Sequence, residues 1–425
     1  MEMIEISASD FCDSVRDGTH DSPKPVEGHG RPLVTTKHMK DGRISIEDAY
    51  LISEADFEKV NQRSQVHRWD VLISMIGTLG ELVLVKDEPT FAIKNIGLFK
   101  TKSKYDGLWL YYYLQSPKAK AHMYASAQGS TQQYLSLKTL RAFPLSVPDT
   151  ESDKRAICEV LKTIDDKIEL NQKMNQTLEE IAKAIFKSWF VDFDPVRAKA
   201  EGRPTGLPPE ISDLFPGELV ESEIGEIPKG WVELALNKVF TPRNERAGDR
   251  EIKEFSSTND GIQPRDAKYK KNLSSSSSKN KVAYRGDFVF GMSREVLNFG
   301  LMSNDVGGFS SAYKIYEVSG GYDFSDFVYR QFLSRPQYYY QAVSASSREG
   351  QSISQDKLLN LKILSPTSTV LSTFNLTIAP LSERCELLLE ENHLLSELRD
   401  TLLPKLISGE LRIPDAEKFL EEAGI

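Results

Sequence analysis

Cysteine is scarce: Cys12, Cys158 and Cys385 are the only three in 425 residues, widely spaced and odd in number. That excludes a disulfide framework and a Cys-rich zinc site, and it fits a reducing compartment. The six histidines, His20, His29, His38, His67, His122 and His393, show no ligand spacing on a helical turn, so no structural metal is expected. No run of about 18 apolar residues occurs, and Met1 to Asp10 lack the basic start and apolar core of a signal peptide. A cytoplasmic protein without a membrane span is expected.

Catalytic motifs are missing as well. There is no Gly-x-x-x-x-Gly-Lys-Ser/Thr phosphate loop, and the run Ile76-Gly77-Thr78-Leu79-Gly80 has no lysine to reach a phosphate, so its glycines read as turn residues. Asp194-Pro195-Val196 and Pro208-Pro209-Glu210 lack the Pro-Pro-aromatic clamp of an adenine methyltransferase. Glu251-Ile252-Lys253 has the Glu-x-Lys form of a metal-dependent nuclease, but no Pro-Asp precedes it at a useful distance. No catalytic residue is assigned, and the chain is expected not to be an enzyme.

What is present is a folded composition, 40% hydrophobic and 27% charged, on a chain too long for one core. The net charge of -9 is unevenly spread: -1 over residues 1-150, -1 over 151-200, -5 over 201-230, +4 over 231-370 and -6 over 371-425. Residues 91-148 hold eight basic side chains against Asp106 alone, and residues 265-285 hold seven against Asp266. Two local basic patches suit phosphate contact, because counterion release depends on local charge. A solvated Lys-rich surface would give the same pattern.

The chain also repeats itself at a period of about 218 to 221 residues. Arg68, Asp70, Val71, Leu72 and Ile73 resemble Arg285, Asp287, Phe288, Val289 and Phe290. Leu108, Trp109, Leu110, Tyr113, Leu114 and Pro117 match Phe327, Val328, Tyr329, Phe332, Leu333 and Pro336, a helical pattern stopped near a proline. Ser136, Leu140, Phe143, Leu145 and Pro148 fall opposite Ser354, Leu358, Leu361, Ile363 and Pro366. Each block of about 150 residues mixes alternating strands with one or two helices, which reads as a small α+β domain.

A heptad seam follows each block. The first steps through Ile157, Leu161, Ile164, Ile168, Asn171, Asn175, Leu178, Ala182, Ile185 and Trp189. The second steps through Ile378, Leu381, Cys385, Leu388, Leu395, Leu398, Leu402 and Leu406, with one irregular step near Glu391. Each helix is expected to run about 33 residues, roughly 50 Å. Pairing of the two helices with each other is preferred over packing of each on its own domain. Asn171 and Asn175 either set the register or mark a frayed stretch.

The expected organisation is a first domain over 1-150, a helix over 151-190, a Pro/Gly/Glu-rich linker over 191-230, a second domain over 231-370, a helix over 371-411 and a polar tail over 412-425.

The run Lys187-Ser188-Trp189-Phe190-Val191-Asp192-Phe193-Asp194-Pro195-Val196 and the run Ser222-Glu223-Ile224-Gly225-Glu226-Ile227-Pro228-Lys229-Gly230-Trp231 resemble the central region of the specificity subunits of type I restriction-modification systems. Leu402-Leu403-Pro404-Lys405-Leu406-Ile407-Ser408-Gly409-Glu410-Leu411 is similar to their distal region, and Asp17-Gly18-Thr19-His20 with Pro23-Lys24 looks like the start of one class of target recognition domain. The resemblance covers nearly the whole chain. It implies two pseudo-repeated target recognition domains held apart by a pair of long antiparallel coiled-coil helices, each domain reading half of a split, asymmetric site on double-stranded DNA. It also implies two methyltransferase and two restriction subunits as partners. S-adenosylmethionine, ATP and magnesium would belong to those partners, with no cofactor in this chain.

On that reading, candidate base contacts are Ser130, Thr131 and Gln132 in the first domain, and Gln351, Ser352 and Ser354 in the second. Candidate phosphate contacts are Lys37, Lys102, Lys104, Arg265, Lys268, Lys270 and Lys271. A fused methyltransferase or nuclease, and a coiled-coil adaptor that binds proteins only, are the alternatives. The missing motifs speak against the first, the basic blocks against the second.

Overall fold

The computed structural model of the chain describes residues 2-40, 42-129, 133-258, 261-265, 277-291, 297-345 and 351-425. It divides into two compact units, one formed by Met1–Met174 with Leu387–Ile425, the other by Asn175–Glu386.

In the first unit, Val71–Ser74 is buried at every residue, the pattern of a strand covered on both faces. It lies inside an antiparallel four-stranded sheet ordered Ser14–Asp17, Ile96–Lys100, Val71–Ser74, Leu82–Leu84. Alternation sorts its side chains: Val71, Ile73, Leu82, Leu84 and Phe99 join one apolar cluster, while Leu72, Val83, Ile96 and Leu98 join another. Gly97 stands where a Cβ would come within 2.6 Å of Ile73 and 2.7 Å of Leu140, so only glycine fits this packed face.

The first cluster is closed by the helix Lys104–Gln115, with Trp109, Tyr112 and Tyr113 buried. Ser103 caps it by accepting from the Asp106 amide, and Ser116-Pro117 ends it and starts the next helix, Pro117–Ser126. Met3–Ser7 pairs antiparallel with Pro144–Pro148, to which the helix is tied by Trp109 Nε1 donating to the Ser146 carbonyl at 3.1 Å.

The second unit builds the same arrangement from a different palette. Its four-stranded antiparallel sheet is ordered Phe240–Arg243, Lys314–Val318, Phe288–Phe290, Phe299–Leu301, the same path through the corresponding strands. Phe288 and Phe290 point to a cluster with Phe240, Phe299, Tyr316 and Phe332, while Val289 points the other way with Ile315. The helix Gly321–Ser334 closes the aromatic face, and Val232–Ala235 pairs with Lys362–Ser365. Gln331 fastens helix to strand here, its carboxamide bonding both the Leu364 amide at 2.9 Å and the Leu364 carbonyl at 2.7 Å.

Two long helices, Glu151–Phe190 and Ser368–Ser408, run 40 and 41 residues, longer than the seams alone indicate. In the first unit Asp165 meets Arg399 at 3.0 Å, and Lys167 and Asn171 meet Glu391 at 3.1 and 3.0 Å, so the two chains run antiparallel. Ile157, Leu161 and Ile164 share a core there with Leu395, Leu402 and Leu406. In the second unit Asn175 lies opposite Cys385, and Phe186 and Phe190 pack on Phe374, again antiparallel.

The second helix continues through Pro380, which deprives the Leu376 carbonyl of its helical donor. Leu376 is 75% exposed, so water can take that bond.

The segments that carry the resemblance are core. Trp189, Phe190, Phe193, Phe215, Trp231 and Phe374 form an aromatic nucleus in the second unit, where Phe193 adopts φ 57 to turn the chain out of the long helix. Leu402, Leu403, Leu406 and Ile407 are buried in the first unit, and Gly409, at φ 76, ends the helix.

Candidate nucleic-acid interface

The turn that opens each central strand is built on a buried aspartate. Asp70 accepts from the His67 amide at 2.7 Å and the Thr101 amide at 3.0 Å, and burial pushes its carboxyl above the ordinary range while those donors pull it back. Asp287 accepts from the Tyr284 amide at 2.8 Å and takes two bonds from Arg243, at 2.7 and 3.2 Å; burial again raises it, with Arg243 opposing.

Arg243 pairs with Ile315 and so stands in register with Arg16, which pairs with Leu98; the next residue of that strand, Asp17, has a carboxylate that takes Arg63 and, at 3.1 Å, His20. His20 reaches Asn95 with its other ring nitrogen at 2.8 Å. A Cβ on Gly18 would stand 2.5 Å from the Ile93 carbonyl, so the Asp17-Gly18-Thr19-His20 run is a close-packed clasp between strand, loop and helix. A cavity of about 400 Å³ opens beside it, lined by Thr19, Asp21, Pro23, Lys59 and Arg63 among others.

The candidate phosphate contacts fall into different settings. Lys37 is exposed on the short helical turn Thr36–His38. Lys102 is exposed and reaches the Asp10 carbonyl at 3.4 Å. Lys104 is tied to Glu159 at 3.2 Å and lies 4.9 Å from the Tyr105 ring centre, so its charge already has a partner. Arg265 bonds Ser256 Oγ at 2.9 Å.

Ser354 caps the helix Gln355–Asn360 by accepting from the Lys357 amide, just as Ser136 caps Leu137–Arg141. Gln351 and Ser352 lie in the strand Gln351–Ile353. Ser130, Thr131, Gln132, Lys268, Lys270 and Lys271 lie outside the described residues.

Sequence reasoning missed a cation cluster that strand pairing assembles in the second unit. Arg246 bridges to Lys281, and Lys281 Nζ bonds the Tyr313 carbonyl at 2.6 Å beside Lys314. Lys281 is held below the ordinary lysine range by partial burial first, then by the Arg246 and Lys314 charges. The three are 35 and 33 residues apart in the chain, so only the folded sheet brings them together.

No group of three His, Cys, Asp or Glu side chains able to hold a metal occurs among the described residues. No helix among them is long and apolar enough to cross a membrane. Burial pushes the Cys12 thiol up to about 12 and raises Cys158 further, which leaves both unreactive at neutral pH.

Residues 7–180 match the type I restriction modification DNA specificity domain. The chain is 26% identical over 350 residues to the HindI type I restriction enzyme specificity subunit of Haemophilus influenzae, covering 68% of this chain and 73% of that protein. It is 25% identical over 363 residues to the MjaIX specificity subunit of Methanocaldococcus jannaschii, covering 81% and 78%. Its fold is like that of the type I restriction-modification S subunit from M. genitalium, at 12% identity and a TM-score of 0.52 over 95% of this chain and 96% of that one. With the specificity-domain model matched over residues 7–180, the chain is similar to the specificity subunits of type I restriction-modification systems along most of its length.

Proposed function

We propose that the chain is the non-catalytic DNA reader of a cytoplasmic type I complex. Its two target recognition domains, 1-150 and 231-370, each read one half of a bipartite, asymmetric site. The long helices act as an antiparallel coiled-coil spacer between them, with the linker 191-230 joining the first helix to the second domain. Methyltransferase and restriction subunits assemble around the spacer and supply the S-adenosylmethionine, ATP and magnesium chemistry.

The observation that carries this reading is the duplication of one strand path, two four-stranded sheets with equivalent order built from unlike residues. Equal frames with different surfaces suit two recognitions of different sequence. Exchange of residues 231-370 for the second domain of another specificity subunit is expected to change one half-site in a methylome map and leave the other intact. A change in both halves would overturn the modular reading.

A further inference from the structure

Three large apolar side chains left exposed in the first unit, Ile76, Tyr124 and Tyr134, come from segments that meet at one corner. Ile76 opens the loop 76-80, whose turn uses Gly77 and Gly80 at φ 84 and 81. Buried Ser74 closes this loop, its hydroxyl donating to the Thr78 carbonyl and accepting from the Glu81 amide at 2.8 Å. Gln128 and Tyr134 lie beside it. Ile76 and Tyr134 form a β-bridge, the Leu135 amide donates to the Met75 carbonyl at 2.9 Å, and Gln128 and Tyr134 exchange backbone bonds at 2.9 and 2.8 Å. Tyr124 lies in the last turn of Pro117–Ser126, whose Met123 sulfur is 3.5 Å from where a Cβ on Gly80 would stand.

The corner is richer in bases than acids, its nearest carboxylates being Glu81, which follows the loop, and Glu5, which pairs with Lys118 at 3.2 Å. Between Asp106 and Asp149 the sequence has no Asp or Glu, and it carries Lys118, Lys120, Lys138 and Arg141. Lys120 and Lys138 are exposed. An apolar tip in cationic surroundings matches a base edge flanked by phosphates better than it matches a protein groove.

Tyr134 refines the match. Its hydroxyl donates to the Gln128 side-chain oxygen at 3.1 Å, which leaves the NH2 of that exposed carboxamide as a donor beside two apolar groups. In the major groove, thymine alone among the four bases sets an acceptor, O4, next to a methyl group. Insertion between base steps is disfavoured, because the Tyr134 backbone is bridged to both Ile76 and Gln128 and its hydroxyl is held.

We propose that Gln128, Ile76 and Tyr134 read a thymine in the first half-site, Gln128 Nε2 donating to O4 while Ile76 and Tyr134 contact the 5-methyl. The inference rests on the DNA-reading role proposed above. Its test begins with the mapped site of the wild-type complex, taking the half that survives exchange of residues 231-370. Each thymine there is replaced in turn by deoxyuridine in binding assays with the assembled complex.

At one position the wild type should lose roughly three- to tenfold in affinity. A chain carrying Ile76→Ser and Tyr134→Ser loses the methyl contact and also frees Gln128, so it should bind the thymine duplex at least as weakly as the wild type binds the uracil one, and lose nothing further on uracil. Tyr134→Phe keeps the ring but frees Gln128, so it should retain the methyl effect and lose preference for thymine over 5-methylcytosine at that position. Additive losses at every position, or a half-site without thymine, would overturn the assignment while leaving DNA reading intact. A wild-type complex with no preferred site would overturn the DNA-reading role itself.

Discussion

At the scale of single residues, the two units solve one problem with different charge economies. The turn before each central strand needs a carboxylate, and Asp70 meets that need with two backbone amides whereas Asp287 adds Arg243. Asp287 is 2% exposed, so replacing it strands an amide and leaves the partly buried Arg243 guanidinium with only the exposed Glu317 at 3.1 Å. Asp287→Ala is expected to destabilise its unit by about 3 kcal/mol, because two charge-assisted bonds and an amide bond are lost and Arg243 keeps only an exposed partner. Asp70→Ala should cost less, about 1 to 3 kcal/mol, the penalty of unpaired amides. Denaturant titration of the chain with a probe in each unit checks the order; an equal or reversed cost would refute the account. The aspartates are legible in the sequence because they repeat, but the arginine partner is not, since Arg16 stands in register with Arg243 yet bonds Ser14 Oγ and the Arg63 carbonyl.

At the scale of elements, the heptad positions are readable because burial follows them: each named position from Ile157 to Trp189 is buried or partly buried. The irregular step near Glu391 has a polar explanation. Glu391 occupies the seam and takes Asn171 and Lys167, so the seam is continuous in space although not in hydrophobicity. Such a cluster costs stability and fixes register. Asn175 is also buried, and its side-chain oxygen has no partner.

Charge counting is less informative, because it does not disclose that Lys104 pairs with Glu159. The same helix is fastened to the first unit by Lys86, which meets Glu169 at 2.7 Å. Hydrogen bonds from Lys86 first and Lys173 second, working against burial, lower the Glu169 carboxyl from the ordinary 4.5 to about 2. A carboxyl lowered on folding adds stability above its unfolded value, and that contribution is lost as pH falls from about 4.5 toward 2. The site is about a third exposed, so the gain is about 0.5 to 1 kcal/mol after screening. Thermal melting at neutral pH should show Glu169→Gln lower than wild type, with the gap closing below pH 4; a constant gap would show that the pair contributes nothing.

At the scale of the whole molecule, what the sequence discloses is the repeat, because duplicated apolar positions survive in a core while surfaces diverge. Val71, Leu72 and Ile73 can become Phe288, Val289 and Phe290 without altering the strand path, since each face keeps its alternation. What it hides is juxtaposition across strands, as with Arg246, Lys281 and Lys314, or the meeting of Ile76 with Tyr134.

In the proposed arrangement the spacing of the half-sites depends on the helix pair, and the register contacts show how to lengthen it without breaking it. Asn171 faces Glu391, so one heptad inserted after Leu170 and another after Glu391 keep the seam matched on both helices. Together they add about 10 Å along the pair. Axial distance alone would favour about three more base pairs, but each also turns the second half-site by roughly 35° around the duplex, which favours fewer. The preferred gap should therefore lengthen by about one to three base pairs, with reduced turnover and both half-site sequences unchanged. Insertion in the first helix alone mismatches the seam and should lower activity on every gap. Methylation mapping over a library of gap lengths reads both variants, and a stable, active doubly lengthened complex that kept the original gap would end the spacer model.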